Sequence, residues 1–483
     1  MSQDAVETAQ DEVEGYEPDP RRWRILGVAL VVGFMSLLDV SIVNVAIPSM
    51  QSGLGTSAAT IQWVVSGYAL TFGLTLVAGG RLGDAYGRRR MMLLGLAGFI
   101  VSSAAVGLAP NAALVVVARL VQGATAGLLT PQSSGLIQQL FRGAERGRAF
   151  GLFGFTVSVS SAAGPVIGGL IIGLAGQENG WRWLFLINVP IGIAGMLGVA
   201  RMIPRREVTD SADTRIDVLG ALLLGGAVLC LLYPVVSVEG GHRYTLLILL
   251  GVPLFVLAFF RWEHRLTSTG QAPLLDLTLL RGLPGYLNGL GVGALYFTGF
   301  TGLLLVLSVY LQEGLGLTPL AAGLLVTPFA LGSAVSAALA GRVVTTIGRR
   351  LTVAALGVVI IGVALTALLV PSHPTATLWV VLVPSLLVAG VGGGAVVSPN
   401  ITLTLAEVPP RMGGAAGGAL QTGQRIGASI GAAVLMTAYQ LVSHRATPGE
   451  GLRVALVTGV LVLLLALAMA VRALRAQGEG TLS

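Results

Sequence analysis

With 483 residues, a mean hydropathy of +0.84 and only 11% charged residues, the chain carries less than half the ~25% charge of a soluble domain, which excludes a water-soluble fold. All 29 basic residues are arginine, so the lysine that a phosphate-binding P-loop requires is missing, and any active transport would have to draw on an ion gradient or another subunit. One cysteine, Cys230, excludes an internal disulfide and a cysteine-cluster metal site, and His242, His264, His373 and His444 are too scattered for metal-ligand spacing, so no metal and no cofactor is expected.

Residues 1–20 hold seven acids and no arginine and read as a disordered, solvated tail. From there the chain is a succession of apolar runs, each near the ~20 residues that a spanning helix needs. Spans are expected near 25–48, 62–80, 91–109, 111–139, 149–173, 183–203, 216–236, 244–261, 284–311, 319–341, 351–371, 376–403, 416–440 and 454–472. Fourteen spans make an all-α polytopic membrane protein with both termini on one side. The arginines choose that side: 23 of the 29 precede the first span or lie at or beyond the ends of even-numbered spans. By the positive-inside rule both termini face the cytoplasm. The net charge of +7 is thereby explained by topology, without a nucleic-acid partner.

The loop after the second span reads GRLGDAYGRRR, Gly80 to Arg90, and the loop after the tenth reads GRVVTTIGRR, Gly341 to Arg350. Gly80, Arg81, Gly87, Arg88 and Arg89 recur 261 residues later as Gly341, Arg342, Gly348, Arg349 and Arg350, while Asp84 becomes Thr345. Repeated halves about a midplane site characterise secondary transporters. The two copies are eight spans apart rather than six, which inserts two extra helices between the halves. The expected organisation is a tail (1–20), an N-terminal six-helix bundle (21–203), a linker with two extra transmembrane helices (204–283), a C-terminal six-helix bundle (284–475) and a cytoplasmic tail (476–483).

Asp39 reads as the one acid placed deep within a span. A carboxylate there is costly unless paired, protonated or hydrated. It lies roughly 13 Å inside the outer end of its helix, and Arg119 roughly 12 Å inside the outer end of the antiparallel fourth span, so the two share a depth. Burial disfavours the charged carboxylate while a guanidinium favours it; such opposition can poise a group to gain and lose a proton, although a permanent structural pair is the alternative. Asn44 and Gln122 extend the polar set as partners or as helix glue. In the first loop, Gly83 and Gly87 permit a tight turn, Asp84 can accept from helix N-terminal amides, and Arg88 can pair with an acid such as Glu145. Arg425, near Gln421 and Gln424, can bind an anionic substrate group or pair across helices. Tyr68, Tyr296, Phe297 and Phe300 are candidate lining of an apolar cavity, or simple packing.

Six segments together resemble the major facilitator superfamily, in its fourteen-helix drug:proton antiporter branch. They are the Gly80 loop, LDVSIVNVAIP (Leu38 to Pro48), RLVQGATAGLLTPQ (Arg119 to Gln132), GPVIGG (Gly164 to Gly169), WRWLFLINVPIG (Trp181 to Gly192) and GQRIGASIG (Gly423 to Gly431). Ser41 stands where threonine is usual in the branch, and Ser160 replaces a glycine. The resemblance covers nearly the whole chain beyond the tail. It implies a major-facilitator fold, proton coupling through Asp39 with Arg119, and a cytoplasmic latch made of Gly80, Gly83, Asp84, Gly87 and Arg88. It also implies an export-favouring bend at Gly164, Pro165, Gly168 and Gly169. The expected function is proton-coupled antiport that exports amphipathic drugs or antibiotics across the cytoplasmic membrane, as a monomer, with a dedicated exporter of an endogenous lipid or metabolite as the alternative. GPVIGG argues against a proton-coupled importer, and no nucleophile–base set suggests an enzyme.

Overall fold

The computed structural model describes residues 18–56, 58–176, 178–205, 217–239, 243–269, 273–274, 283–370 and 378–480; the acidic tail up to residue 17 lies outside them. The first bundle comprises α1 (Arg22–Leu54), α2 (Ala58–Tyr86), α3 (Arg88–Gly107), α4 (Ala112–Leu140), α5 (Gly143–Ala175) and a sixth crossing in two pieces, α6 (Gly180–Leu186) and α7 (Asn188–Met202). Then come α8 (Val218–Glu239), a 3-10 segment (Arg243–Leu250) and α9 (Gly251–Ser268). The second bundle comprises α10 (Pro284–Val309, continued by a π turn over Tyr310–Gly314), α11 (Pro319–Ile347), α12 (Arg349–Leu369), α13 (Leu378–Thr404), α14 (Gly413–Ser443) and α15 (Pro448–Gly480).

Thirteen stretches among the described residues are long and apolar enough to cross a membrane. The fourteen expected spans are therefore met thirteen times. The seventh coincides with α8, whose apolar described stretch, Val218–Leu231, is shorter. The eighth is displaced: the spanning stretch runs Leu247–Ser268 rather than 244–261. Arg261, His264 and Arg265 lower the local hydropathy, so the apolar signal fades before the helix does. With that helix comes another correction. Glu263 is fully buried inside it, so Asp39 is not the only buried acid within a span.

The outer faces are what a bilayer solvates. Along α3 and its C-cap, Leu94, Val101 and Leu108 recur every seven residues and are 54%, 68% and 72% exposed. In α4 the same outward stripe is Leu114, Val117 and Val121. Two turns of a helix span about seven residues, so each row is one apolar stripe facing outward, the inverse of a soluble helix.

The repeat seen in the loops extends to the helices. α2 and α11 lie 261 residues apart at both ends, and each turns into the next helix through a single residue, Gly87 at φ 91° and Gly348 at φ 63°. A side chain at either position would be strained, because a Cβ crowds the backbone at positive φ. Gly83 serves otherwise. It lies within α2, where a Cβ would fall 2.7 Å from Cδ of Gln132, so it makes room for a neighbour rather than a turn.

The bundles meet through two equivalent crossings, α5 on α11 and α14 on α2, with α13 on α5 and α14 on α4 beside them. Gly341 heads the first: its Cβ would lie 2.5 Å from Cα of Gly151. Gly80, its counterpart, heads the second, 2.5 Å from the carbonyl carbon of Gly414. An apolar cluster joins the bundles at the end bearing the termini, where Leu26, Ile137, Phe141, Phe150 and Phe153 pack on Tyr286, Ile401, Leu405 and Val408. The clusters nearer the opposite end stay within one bundle, Trp181 and Phe185 in the first and Leu311 and Leu452 in the second. The molecule is closed at the terminus-bearing end. Gly341→Leu is therefore expected to prop that end open: the distance between spin labels at Arg90→Cys and Arg350→Cys lengthens, with Cys230 replaced by serine. Gly357→Leu, at a helical position with nothing within 4 Å, leaves that distance unchanged.

The two linker helices lie against the α2–α14 crossing. Val77 packs with Phe259, Leu274 and Ala419, Leu70 with Val228 and Ile426, and the rings of Trp63 and Tyr233 are 5.8 Å apart.

Candidate functional site

Asp39 sits near the middle of α1, fully buried. Its Oδ2 accepts from Nη1 of Arg119 at 2.5 Å, and its Oδ1 accepts from Nε2 of Gln122 at 3.1 Å and from Nδ2 of Asn188 at 2.9 Å. Arg119 is satisfied in turn, Nη1 donating to Oε1 of Gln122 at 2.8 Å and Nε to the Val64 carbonyl at 3.1 Å. Gln122 also donates to Oγ of Ser103 at 2.6 Å. Helices α1, α2, α3 and α4 and the α6–α7 break thus converge on one carboxylate. An ion pair so deep offsets its desolvation only when its other donors and acceptors are also engaged, and here both Asp39 oxygens and the Nε and Nη1 of Arg119 are. Gln122 and Asn188 are neutral amides, so their bonds to Asp39 persist when the carboxylate takes a proton, whereas the attraction to Arg119 does not.

Asn188 and Ser103 escaped the sequence reading. Asn188 starts α7 immediately after Ile187, where the crossing is interrupted; an asparagine inside WRWLFLINVPIG was the available signal. The side chains of Asn44 and Pro165 lie outside those described. α5 runs as one helix through the GPVIGG segment. A Cβ on Gly164 would lie 2.6 Å from Cβ of Ser41, and Ser41 Oγ donates to the Ser160 carbonyl at 2.9 Å. Gly168 is buried, and Gly169 faces open space. The segment therefore brings α5 against α1 two residues beyond Asp39.

Tyr68 does not line a cavity. It is 2% exposed, donates to the Ser36 carbonyl at 3.3 Å, and lies under Arg119, whose Cζ is 4.1 Å from the ring centroid. The Tyr68 ring also stacks with Phe72, their centroids 5.9 Å apart, and Arg425 from α14 lies 4.7 Å over Phe72. A cation from each bundle therefore rests on one aromatic pair. Tyr296 and Phe300 are stacked, and Phe300 stacks on Phe329, within the core of the second bundle. Phe297, Gln421 and Arg425 are half-buried and Gln424 is 9% exposed.

At the terminus-bearing end, Asp84 reaches across the bundle interface. Its Oδ1 accepts from the amide of Gly414 at 3.1 Å and its Oδ2 from that of Ala415 at 2.8 Å, both in the first turn of α14. A carboxylate here complements the helix dipole as well as the free amides. Arg88 pairs with Asp84 at 3.0 Å rather than with Glu145, and also donates to the carbonyls of Gly135 and Pro410 and to Gln139. Glu145 instead takes a two-pronged bond from Arg22 at 2.8 and 2.9 Å: the approach of α1 to the start of α5 brings Arg22 nearer than Arg88. Gln138 and Arg146 complete this seam by donating to the carbonyls of Leu405 and Ala406.

The Major Facilitator Superfamily model matches residues 29–432 and, in a second match, 289–480. The chain belongs to that superfamily. This superfamily member is 36% identical over 428 residues to the "Probable actinorhodin transporter" of Streptomyces coelicolor, covering 88% of this chain and 74% of that one. It is 33% identical over 429 residues to the "Tetracenomycin C resistance and export protein" of Streptomyces glaucescens, covering 86% and 75%. The solved human organic anion transporter MFSD10 shares its fold with a TM-score of 0.70 at 17% identity, covering 94% of this chain and all of that one. The chain is thus a multi-pass membrane protein of a transporter family.

Proposed function

We propose that this protein exports amphipathic small molecules, drugs or antibiotics among them, across the cytoplasmic membrane in exchange for protons. The observation that carries the reading is the Asp39 site: a carboxylate at mid-helix, paired with Arg119 and held by neutral amides that tolerate either protonation state. The relatives support the direction, one being named for resistance and export. The positive-inside rule, applied to the arginine distribution of the sequence, supports a cytoplasmic terminus-bearing side. Closure there shuts the site off from the cytoplasm through the Asp84 and Arg88 seam, and Asp39 exchanges its proton with the outside when the opposite end opens in the cycle. Residues 21–203 and 284–475 rock about the site in alternating access.

The test is transport in everted vesicles, where respiration acidifies the lumen. An antibiotic to which the protein confers resistance, in a growth-inhibition panel in a pump-deficient host, is expected to accumulate inside the vesicles and to leak out when nigericin collapses the pH gradient. Accumulation in right-side-out vesicles instead would make the protein an importer and overturn the reading. Protection confined to one compound in the panel would mark a dedicated exporter.

A further inference from the structure

Ion pairs join Arg21 to Asp19, Arg22 to Glu145, Arg88 to Asp84 and Arg119 to Asp39. Arg425 is in none of them. It lies near the middle of α14, about 18 Å from its start, half-buried, at a depth where an arginine without a counter-charge is costly. Asp39 does not serve it, because both carboxylate oxygens are already taken by donors of the first bundle. What Arg425 has is one face on Phe72, across the bundle interface. A guanidinium that stacks by its face keeps its N–H donors in the ring plane, free for an acceptor.

The surroundings point the same way. Gln421, one turn before Arg425, and Gln424, beside it, carry no hydrogen bond to any described residue, although Gln424 is only 9% exposed. A Cβ at Gly293 would lie 3.6 Å from Cγ of Gln424, and Phe297, four residues on, continues that face of α10 as a half-buried ring. Each amide therefore keeps hydrogen-bonding capacity to spare for a ligand. One face of α14 thus presents a cation and two amides with their donors unspent, with Phe72 against the cation, at the seam that alternating access would open.

We infer that Arg425, with Gln421 and Gln424, is the site for the anionic group of an organic-acid substrate, a carboxylate or an ionised phenol attached to an aromatic body. Arg425 supplies the charge and a two-pronged donor edge; the glutamines supply further donors; Phe72 and Phe297 contact the rings. This rests on the export reading for its physiological meaning, but the binding itself can be tested apart from transport.

The experiment uses two dyes on one xanthene scaffold, fluorescein, an anion at neutral pH, and rhodamine 6G, a cation, with binding to the purified full chain followed by fluorescence polarisation. Wild type is expected to bind fluorescein. Arg425→Gln should weaken that binding about tenfold or more, equivalent to ~1.4 kcal/mol or more, while rhodamine 6G binds as well as before or better. Arg425→Lys, which keeps the charge but not the fork, should recover part of the loss. Absence of fluorescein binding to wild type, equal binding to wild type and Arg425→Gln, or parallel loss of both dyes in an Arg425→Lys protein of unchanged Tm would each overturn the inference. Charge-selective binding together with no pH-driven movement of either dye in proteoliposomes would leave the Arg425 site standing and remove the export reading.

Discussion

Asp39→Asn is expected to bring pH-driven efflux in proteoliposomes down to the leak of protein-free vesicles. Asparagine keeps the size of aspartate and can still accept from Asn188 or Gln122, but it cannot change charge, and the proposed cycle needs the group both ionised and neutral. The variant should still insert and fold, because a neutral amide at mid-membrane costs less than a carboxylate. Some stability is lost: Arg119 keeps Gln122 and the Val64 carbonyl but loses its only anion. Removing one partner of a buried pair outright costs ~3–5 kcal/mol; with the hydrogen bonds retained the loss should be smaller, and Tm measured beside efflux checks it. Efflux at the wild-type rate from well-folded Asp39→Asn would make Asp39 and Arg119 a structural pair and end the coupling proposal.

Asp84→Ala should shift the conformational balance more than any other single truncation in the seam. It removes two bonds to the first turn of α14 and the pair with Arg88, and leaves that cation facing the positive end of a helix dipole. Hydrogen bonds to a charged group contribute ~1.5–3 kcal/mol each. A net loss of ~2 kcal/mol from the closed state is a shift of about 30-fold toward opening at that end. The spin labels at Arg90→Cys and Arg350→Cys should then report a second, longer distance, and efflux should slow while expression stays normal. Arg88→Ala should act in the same direction but less, since Asp84 keeps both α14 amides. An unchanged distance distribution in Asp84→Ala would remove the closing role.

The second copy of the loop shows why the charge belongs to one side only. Gly341 packs on α5 as Gly80 packs on α14, but Thr345 stands where Asp84 would be. The first turn of α5 carries its own acid, Glu145, already paired with Arg22. A second aspartate would face that carboxylate, whereas α14 opens with Gly413 and Gly414 and has its amides free to receive one.

By itself the sequence determined that the chain crosses a membrane repeatedly, where most crossings lie, and that it belongs with this superfamily. Those signals are one-dimensional: hydrocarbon requires long apolar runs, positive charge stays on one side, and glycine marks the one-residue turns at Gly87 and Gly348. Depth along a helix is also one-dimensional, so Asp39 and Arg119 could be placed at one level. Rotation about the helix axis and the choice of partner across the bundle are not. Only the tertiary structure decided that Asn188 joins Asp39, that Tyr296 and Phe300 turn into the core while Arg425 turns onto Phe72 across the seam, and that Asp84 reaches amides 330 residues away. It alone gave Glu145 to Arg22. In lipid nearly every face of a helix is apolar, so the pattern of a span says little about which side meets a neighbour; close packing at glycines and the need to satisfy each buried polar group settle that, and both depend on residues far apart in the chain.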